Sequence, residues 1–583
     1  MTTATHHPTA KKPPLRTRAL RRTLRGMPAA RHDVALEPGL VVPAADGSPL
    51  LTDHYFPRAG GDFPTLLVRS PYGRGIPWAP MFGMLFAEQG FHVVLQSSRG
   101  TGGSGGEYAL WQHEAADGQA AVEWLRRQPW FTGVLGTMGP SALGYAQWAL
   151  AADPPPELRA MVVQVGVHDM YGFFRPSGPF ALENALVSAV GRMYYGQGTP
   201  AFARAALRLQ RHFRKATRSL PLGDAYVPAL GGRVPFLDEV MACSDPDDAY
   251  WQGADAGVAA GHLSVPTSLV TGWHDVCLDQ TLRQYERLRR AGCDTTLLVG
   301  PWTHNSAMQQ GWPEVFAETL AWLRAHLCDD PSGLREERVR VHVGGRQEWR
   351  DLPDWPPAAT ERRWYLGADG ALSSRTPEAV PPLTFRYDPA DPTPSVGGPL
   401  LGRTAGARDN ASLEARDDVL TFTTPPLTGP LDILGTAAVE LRVTTDTGYA
   451  DVFARLCDVD ERGRSVNICD GIRRLEPGAS GVPEVLGAAP GGRTVSESGP
   501  APEPGPTPVT VAMSATAHSF AAGHRIRLQI SGGAHPRFAR NTGTGEPLAT
   551  ATRLVPAEIS LHQPSALVLP QTKKAFMPST SDR

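Results

Sequence analysis

The segment Leu135-Gly-Thr-Met-Gly139-Pro-Ser141-Ala-Leu-Gly144 limits most narrowly what this chain can fold into. An apolar, strand-like run enters a tight turn with Ser141 at its tip, and an apolar stretch begins directly after it. Gly139 and Gly144 permit a sharp turn and a close approach of two elements. A serine on such a turn stands exposed at the end of a strand, as in a nucleophile elbow. The spacing Gly-x-Ser-x-x-Gly is one residue longer than the usual form, so the motif alone is weak.

Two further polar residues follow predicted strands in the order that this motif requires. The runs Val265 to Asp275 and Thr295 to His304 are apolar and end in polar residues, with a helical pattern between them. Ser141, Asp275 and His304 are therefore expected at the carboxyl ends of parallel strands, where open α/β sheets bind ligands. His304 would take the proton of Ser141, and Asp275 would hold the imidazole in one tautomer. Taken singly, Asp275 could cap the following helix and His304 could be an ordinary loop histidine.

Apolar periodicity divides the chain into an N-terminal tail, a two-part α/β domain, a helical insertion and a β-rich module. Alternating strands and helices predict a mostly parallel sheet, and the purely helical insertion predicts a cap over the site. Beyond Arg335 the apolar residues recur with period two, as at Val339, Val341 and Val343, which predicts a two-sheet, jelly-roll-like sandwich. The expected bounds are 1–38 for a basic disordered tail, 39–168 and 252–335 for the α/β-hydrolase domain, 169–251 for the cap and 336–583 for the sandwich.

Six short motifs occur in one order along the chain. They are Arg69-Ser-Pro-Tyr72-Gly, Gln96-Ser-Ser-Arg99-Gly, Gln128-Pro-Trp130, Gly139-Pro-Ser141-Ala-Leu-Gly144, Gly272-Trp-His-Asp275 and Gly300-Pro-Trp-Thr-His304. Together they resemble the cocaine esterase-type (CocE/NonD) serine hydrolases, which are relatives of the X-prolyl dipeptidyl peptidases and α-amino-acid ester hydrolases. The segments Asp451 to Val459 and Ala522 to Leu528 resemble the β-rich module of the same proteins. The resemblance implies an α/β-hydrolase fold and cleavage of an ester or amide bond through an acyl-enzyme intermediate.

The resemblance also implies an oxyanion hole. In the family, the counterparts of the Tyr72 phenol and of the Ala142 backbone N–H donate to the oxyanion. Tyr72 follows the apolar run Thr65 to Val68, so it could face the same sheet edge; packing of its ring under a turn is the alternative. The family usually has a tyrosine directly after the nucleophile, and the departure at Ala142 leaves the shape of the pocket beside Ser141 open.

The composition is ordinary and speaks against several kinds of partner. A net charge of −2 gives no reason to expect nucleic acid, and no apolar run reaches the roughly 18 residues that span a membrane. The six cysteines are scattered without a C-x-x-C pair, so we expect free thiols in a reducing, cytoplasmic compartment and no metal. The expected partner is a small-molecule ester or amide, and the sequence leaves a homodimer open.

One glycine-rich stretch suggests a different class of function. Gly100-Thr-Gly102-Gly-Ser-Gly105 matches the G-x-G-x-x-G fingerprint of dinucleotide-binding proteins. The next helical pattern begins near His113, too late for a helix N-terminus to bind a pyrophosphate there, so no cofactor is expected. A nucleotide-dependent oxidoreductase remains one alternative, and a non-catalytic module that binds carbohydrate or protein remains another.

The three proposed catalytic residues do not separate esters from amides. X-prolyl peptidases and α-amino-acid ester hydrolases must bind a substrate ammonium, which requires buried carboxylates near the site. Glu183, Asp245, Asp247 and Asp248 are the candidates, and each has the alternative of a solvated surface charge. We therefore expect an acyl esterase or acylase, with an X-prolyl dipeptidyl peptidase or an α-amino-acid ester hydrolase as the alternative.

Overall fold

The computed structural model describes residues 11–109, 111–194, 199–376, 381–477 and 505–572. Its first sheet consists of β1 (Val34–Pro43), β2 (Pro49–Pro57), β3 (Thr65–Ser70), β4 (His92–Ser97), β5 (Leu135–Pro140), β6 (Leu158–Gln164), β7 (Thr267–His274), β8 (Thr295–Thr303), β9 (Val339–Val343) and β10 (Glu348–Leu352). The strand order is β1-β2-β4-β3-β5-β6-β7-β8-β9-β10, and all neighbours from β4 to β9 are parallel. This confirms the mostly parallel sheet that the alternating pattern predicts.

Most of the helices cover the two faces of this sheet or form the cap, and the last one lies in the C-terminal part. They are α1 (Leu15–Thr23), α2 (Leu85–Ala87), α3 (Glu114–Leu125), α4 (Ala142–Ala151), α5 (Met170–Phe174), α6 (Leu182–Tyr194), α7 (Thr199–Arg218), α8 (Leu222–Ala225), α9 (Val227–Leu230), α10 (Pro235–Ala242), α11 (Leu278–Arg290), α12 (His304–Ala307), α13 (Trp312–Leu327) and α14 (Ala411–Glu414). One face of the sheet buries Phe86 and Phe316, and the other buries Trp148 and Tyr285. No helix in the described ranges is both long and apolar enough to cross a membrane.

Helices α5 to α10 lie between β6 and β7 in the chain and form a layer of their own. Their core contains Phe174, Leu186 and Tyr226, and it is continuous with Tyr145 on α4. Because α4 starts directly after Ser141, this contact attaches the helical layer beside the expected site.

The C-terminal part is an all-β domain of two antiparallel sheets. Its strands are β11 (Thr360–Leu366), β12 (Leu372–Ser373), β13 (Leu383–Tyr387), β14 (Val419–Thr423), β15 (Leu431–Thr445), β16 (Ala450–Val459), β17 (Ser465–Leu475), β18 (Thr507–Phe520), β19 (Arg525–Ser531) and β20 (Ala557–Gln571). One sheet has the order β12-β11-β20-β15-β18 with β13 on β20, and the other has the order β14-β19-β16-β17. Side chains such as Leu441, Val511 and Leu528 form one core between them.

The first two strands after residue 336, the expected start of the sandwich, do not pair with the sandwich sheets. Strand β9 pairs in parallel with β8, and β10 pairs with β9, so both strands extend the first sheet. The alternating apolar residues at Val339, Val341 and Val343 are buried, and between them Arg340 is half-buried and His342 is buried. A strand near the edge of a parallel sheet therefore shows the same period-two pattern as a sandwich strand.

The tail over residues 1–38, expected to be disordered or loosely helical, is ordered where the structure describes it. Helix α1 forms there, and β1 begins at Val34. Arg21 on this helix pairs with Glu88 at 2.7 Å, while Leu24 and Met27 pack against the core of the first sheet. The high positive charge suggested a solvated tail, but an ion pair, hydrogen bonds and apolar contacts attach the segment to the domain. Residues 1–10 lie outside the described ranges.

Candidate active site

Ser141 lies on the sharp turn that the sequence predicts, between the last residue of β5 and the first residue of α4. Its φ of 59° and ψ of −124° are sparsely populated for a residue with a side chain. A β-carbon on Gly139 would lie 2.6 Å from that of Leu143, and one on Gly144 would lie 2.9 Å from Gly166 Cα. Both flanking positions therefore require glycine for the turn and for the close packing of α4 on β6.

Two hydrogen-bond donors lie beside Ser141. The hydroxyl of Tyr72, two residues after β3, is 3.4 Å from Ser141 Oγ. The backbone of Tyr72 donates to Ser70 Oγ at 3.1 Å, and its ring stacks on Trp78 with centroids 5.5 Å apart. As the first residue of α4, Ala142 has an N–H without an acceptor inside the helix. The turn thus brings a phenol and a backbone amide to one side of the serine.

Asp275 and His304 form the second close pair. They follow β7 and β8, and His304 Nδ1 lies 2.7 Å from Asp275 Oδ1. A carboxylate only accepts hydrogen bonds, so Nδ1 carries the proton and Nε2 is left as a proton acceptor. Asp275 Oδ2 accepts from Thr271 Oγ1 at 2.8 Å, and Oδ1 also accepts from the backbone N–H of Cys277 at 3.1 Å. The carboxylate is therefore held from both oxygens.

A short capped helix orients the histidine. His304 opens α12, and Thr303 caps it by accepting from the Ser306 N–H while Ser306 Oγ accepts from the Thr303 N–H. This reciprocal capping box sets the direction in which the chain leaves β8. The His304 side chain is 11% exposed, so the imidazole is largely shielded from solvent.

The structure brings the predicted residues to one edge of the sheet as two hydrogen-bonded pairs. Within the described ranges, Ser141 Oγ bonds to Tyr72, and no hydrogen bond joins it to His304. Such contacts are often long in a site without substrate and shorten when substrate binds. The residues that sequence reasoning missed are Thr271, Ser70 and Trp78, because their roles depend on which strand-end neighbour they contact.

The glycine-rich loop at Gly100 to Gly105 has a structural reason for its glycines. A β-carbon on Gly100 would collide with the backbone of Tyr108, and one on Gly102 would collide with Ser97 Oγ. The following helix, α3, begins only at Glu114. The loop therefore does not open a helix in the way that a pyrophosphate site requires.

Asp275, Cys277 and His304 also bring three metal-binding side chains within 4.8 Å of one another. Burial raises the pKa of the Cys277 thiol well above its usual range, so this thiol stays protonated. The oxygens of Asp275 already accept hydrogen bonds from His304 and Thr271. This hydrogen-bonded arrangement suits an acid–base pair better than a metal site.

A cavity of about 1040 Å³ lies between the α/β domain and the all-β domain. The neighbours of Asp275 and His304 in sequence line one wall, and the all-β domain lines the other; they include His274, Thr303, Asn305, Arg408, Asp458 and His518. Burial lowers the pKa of His274 to about 4, so its ring is neutral at pH 7. Asn305 Nδ2 donates to Leu401 O at 2.8 Å, which ties the all-β domain to the residue after His304.

The four carboxylates proposed as ammonium ligands fall into two groups. Asp245 and Asp248 are exposed and accept from the backbone N–H groups of Asp247 and Tyr250, and Asp247 is exposed as well. Glu183 at the start of α6 is 7% exposed and makes no side-chain hydrogen bond or ion pair with a described residue. Burial raises the pKa of Glu183 to about 7, with Arg537 opposing. Only Glu183 therefore has the burial that an ammonium ligand requires.

Comparison with known proteins finds relatives of both parts of the chain. A family model described as X-Pro dipeptidyl-peptidase (S15 family) matches residues 46–306. A second, described as X-Pro dipeptidyl-peptidase C-terminal non-catalytic domain, matches residues 333–566. Cocaine esterase of Rhodococcus sp. (strain MB1 Bresler) is 30% identical over 581 residues, covering 92% of this chain and 98% of the esterase.

Solved structures share the whole architecture. An α-amino-acid ester hydrolase has a TM-score of 0.75 at 22% identity, covering 94% of this chain and 99% of that protein. An aminopeptidase from the marine sediment archaeon Thaumarchaeota archaeon has a TM-score of 0.75 at 20% identity, covering 94% of this chain and 98% of that protein. The chain is thus a serine hydrolase that acts on esters or amides, and it belongs to the cocaine esterase-type (CocE/NonD) hydrolases.

Proposed function

We propose that this protein is an acyl esterase or acylase in which Ser141 is the nucleophile, His304 the general base and Asp275 the residue that orients His304. Tyr72 and the backbone N–H of Ala142 form the oxyanion hole. The observation that carries the proposal is Ser141 on its strained turn, with its Oγ 3.4 Å from the Tyr72 hydroxyl. The Ser141 hydroxyl lies at the tip of the turn beside the Tyr72 hydroxyl, which is the arrangement expected of a nucleophile next to an oxyanion-hole donor.

In the first half of the reaction, Ser141 Oγ attacks the substrate carbonyl while His304 Nε2 takes the hydroxyl proton. The carbonyl oxygen becomes an oxyanion, which accepts from Tyr72 and Ala142. The hydrogen bond between Asp275 and His304 Nδ1, 2.7 Å long, keeps Nε2 unprotonated before the attack and stabilises the imidazolium afterwards.

Collapse of this tetrahedral intermediate breaks the bond to the leaving alcohol or amine. His304 gives its proton to the leaving group, and an ester of Ser141 with the acyl part remains. Water then attacks this acyl-enzyme with His304 again as the base, and the carboxylic acid leaves. The cycle consumes one water and regenerates Ser141, so it needs neither metal nor cofactor.

A substrate screen tests the proposal. Aryl esters, α-amino esters and Xaa-Pro amides are assayed with the wild type and with Ser141→Ala at equal concentrations. The proposal expects turnover of neutral aryl esters by the wild type and its loss in the variant. Equal turnover by both proteins would reject Ser141 as the nucleophile.

One observation favours a second candidate, an α-amino-acid ester hydrolase or X-prolyl dipeptidyl peptidase. Glu183 is a buried carboxylate without a described partner, as an ammonium ligand in a site without substrate would be. Oε1 of Glu183 points where a β-carbon on Gly402 would sit, beside Leu401, which is bonded to Asn305. The test compares kcat/KM for an α-amino ester and its des-amino analogue in the wild type and in Glu183→Gln. A preference for the amino ester that the variant loses would support this candidate.

We further propose that the enzyme works in the cytoplasm on a small-molecule substrate, with a jelly-roll-like C-terminal domain. All six cysteines are free, four of them buried, which suits a reducing compartment. The compartment is tested by fractionating the source cells and detecting the protein in each fraction with an antibody. Recovery outside the cytoplasm would reject this proposal.

A further inference from the structure

One arginine of the cap is buried without a hydrogen-bond or ion-pair partner among the residues that the structure describes. Seven arginines in the described ranges are more than nine-tenths buried: Arg69, Arg99, Arg175, Arg192, Arg455, Arg537 and Arg540. Six of them donate side-chain hydrogen bonds to carboxylates or carbonyl oxygens. Arg192 is the exception among the described residues, since its guanidinium makes no hydrogen bond or ion pair. Within the described ranges, Arg192 is therefore the buried arginine whose guanidinium donates no hydrogen bond at all.

The surroundings of Arg192 do not replace a counter-charge. The residue is 7% exposed, and its Nε and Nη1 are buried without an acceptor. Its guanidinium lies over the ring of Phe236 at 5.6 Å, a favourable contact that satisfies no N–H group. A buried charge without a partner is strongly destabilising, so its presence calls for a group that arrives from outside the chain.

Arg192 lies on α6, whose apolar side chains share a core with the helix that follows Ser141. Its neighbours on α6, Ala189 and Val190, belong to the same core as Tyr145 on α4. Burial raises the pKa of Tyr108 to about 12, with Arg192 opposing and Tyr72 adding to the rise. The Tyr108 phenol therefore lies near both Arg192 and Tyr72, the proposed oxyanion-hole donor.

The carboxylates near Arg192 have other partners within the described ranges. Glu239 acts on Tyr250 together with Arg192, and it accepts a hydrogen bond from that phenol. Glu114 is the other charged group acting on Tyr108, and it is paired with Arg69 at 2.7 Å. An arginine offers a planar fork of N–H groups that matches a carboxylate. A single guanidinium balances one negative charge, whereas a doubly charged phosphate would leave excess charge in a buried place.

We propose that Arg192 binds a carboxylate carried by the substrate, so the enzyme prefers esters or amides whose acyl or leaving part bears a carboxylate. This rests on the proposed function, because it assigns a substrate class to the same site. The bound carboxylate would supply the partner that the guanidinium lacks. A neutral substrate would leave Arg192 unpaired and gain nothing from it.

Matched substrate pairs test the proposal. In the acyl series, p-nitrophenyl monoesters of succinate, glutarate and adipate are compared with p-nitrophenyl esters of neutral acids of the same length. In the leaving-group series, 4-acetoxybenzoate is compared with phenyl acetate. We expect the wild type to prefer the carboxylate-bearing member in at least one series. We expect Arg192→Gln to lower kcat/KM for that member about 100-fold and to leave its neutral counterpart within about threefold.

Arg204 supplies the matched control. It is an exposed arginine on the neighbouring helix α7, so Arg204→Gln removes the same charge from the cap surface without touching the buried position. This variant should keep the wild-type ratio between the two substrates of each pair. Loss of the preference in both variants would indicate a long-range effect of charge and would overturn a contact at Arg192. Retention of the preference in Arg192→Gln would overturn the contact as well.

Thermal unfolding gives a readout that does not depend on turnover. Glutarate should raise the Tm of the wild type, while glutaramide and chloride at the same ionic strength should not. Arg192→Met should raise the Tm without ligand, because it removes an unpaired buried charge, and should abolish the effect of glutarate. An equal shift with chloride would overturn the proposal, even if the variants did not fold. Hydrolysis of neutral esters by Ser141→Ala would instead reject the proposed function, so the two failures are distinguishable.

Discussion

His304 Nδ1 lies 2.7 Å from Asp275 Oδ1, and the opposite oxygen of the carboxylate accepts a hydrogen bond from Thr271 at 2.8 Å. The carboxylate cannot rotate without breaking one of these bonds, so the imidazole has one preferred orientation and one tautomer. Asp275 and His304 directly follow the neighbouring parallel strands β7 and β8, and Thr271 lies on β7. The sheet itself therefore aligns the proposed base.

Asp275→Asn should lower kcat by about 10⁴-fold, because an amide can donate to Nδ1 and so favours the tautomer with a proton on Nε2. Steady-state hydrolysis of a neutral aryl ester measures the loss, and near-UV circular dichroism checks that the variant is folded. Asp279→Asn, four residues later on an exposed position of α11, is the matched control and should keep its activity. A kcat for Asp275→Asn similar to that of this control would contradict the role of Asp275.

Tyr72→Phe should lower kcat by about 10²- to 10³-fold and change KM little, because an oxyanion donor acts mainly in the transition state. The matched control is Tyr145→Phe on the helix after Ser141, whose hydroxyl donates to Gly253 O at 3.1 Å. That variant should lose about 1 kcal/mol of stability and keep its kcat. If Tyr72→Phe behaved in the same way as Tyr145→Phe, Tyr72 would be a packing residue.

The strand-end positions of Ser141, Asp275 and His304 could be predicted from sequence because each follows an apolar run with a polar residue directly after it. Sheet order then brings strand ends together without any further information. Thr271 and Trp78 could not be found in this way. Their contacts depend on side-chain directions inside the folded sheet, and nothing in their local sequence separates them from ordinary core residues.

Glu183 should make the protein less stable as the pH rises. Burial raises its pKa from 4.5 to about 7, so the folded protein binds this proton more tightly than the unfolded chain does. The stabilising contribution is complete below about pH 4.5 and is lost on the way to about pH 7, a loss of about 3 kcal/mol at about 1.4 kcal/mol per unit. Denaturant unfolding at pH 5 and pH 8 should show this fall in the wild type but not in Glu183→Gln. Equal pH dependence in the two proteins would show that Glu183 does not titrate in this range.

Truncation should separate the two roles of the C-terminal part. A chain ending at Pro331 loses β9 and β10 of the first sheet and should aggregate. A chain ending at Pro357 keeps both strands but loses the Ala515 and Ala517 contacts and the bond from Asn305 to Leu401, so it should be more soluble and only weakly active. Size-exclusion chromatography and an aryl ester assay measure both properties. A Pro331 chain that is monodisperse and fully active would show that the C-terminal part is an independent appendage.

Sequence patterns misplaced two segments for physical reasons that the structure makes plain. Apolar residues that recur with period two predict a strand. They do not indicate which sheet the strand joins, as β9 shows. A run of positive charge predicts a solvated segment only where the folded domain offers no acidic partner. Here Arg21 forms an ion pair with Glu88. The lack of a partner for Arg192 among the described residues could not be predicted either, because it depends on where the folded cap places its hydrogen-bond acceptors.

Covalent labelling tests the central claim most directly. The wild type is treated with a fluorophosphonate, digested, and analysed by mass spectrometry for the modified residue, alongside Ser141→Ala and His304→Ala. The account predicts stoichiometric modification of Ser141 in the wild type, none in Ser141→Ala and strongly slowed labelling in His304→Ala, with turnover about 10⁶-fold lower in Ser141→Ala. Modification of a different residue, or turnover by Ser141→Ala close to that of the wild type, would contradict it.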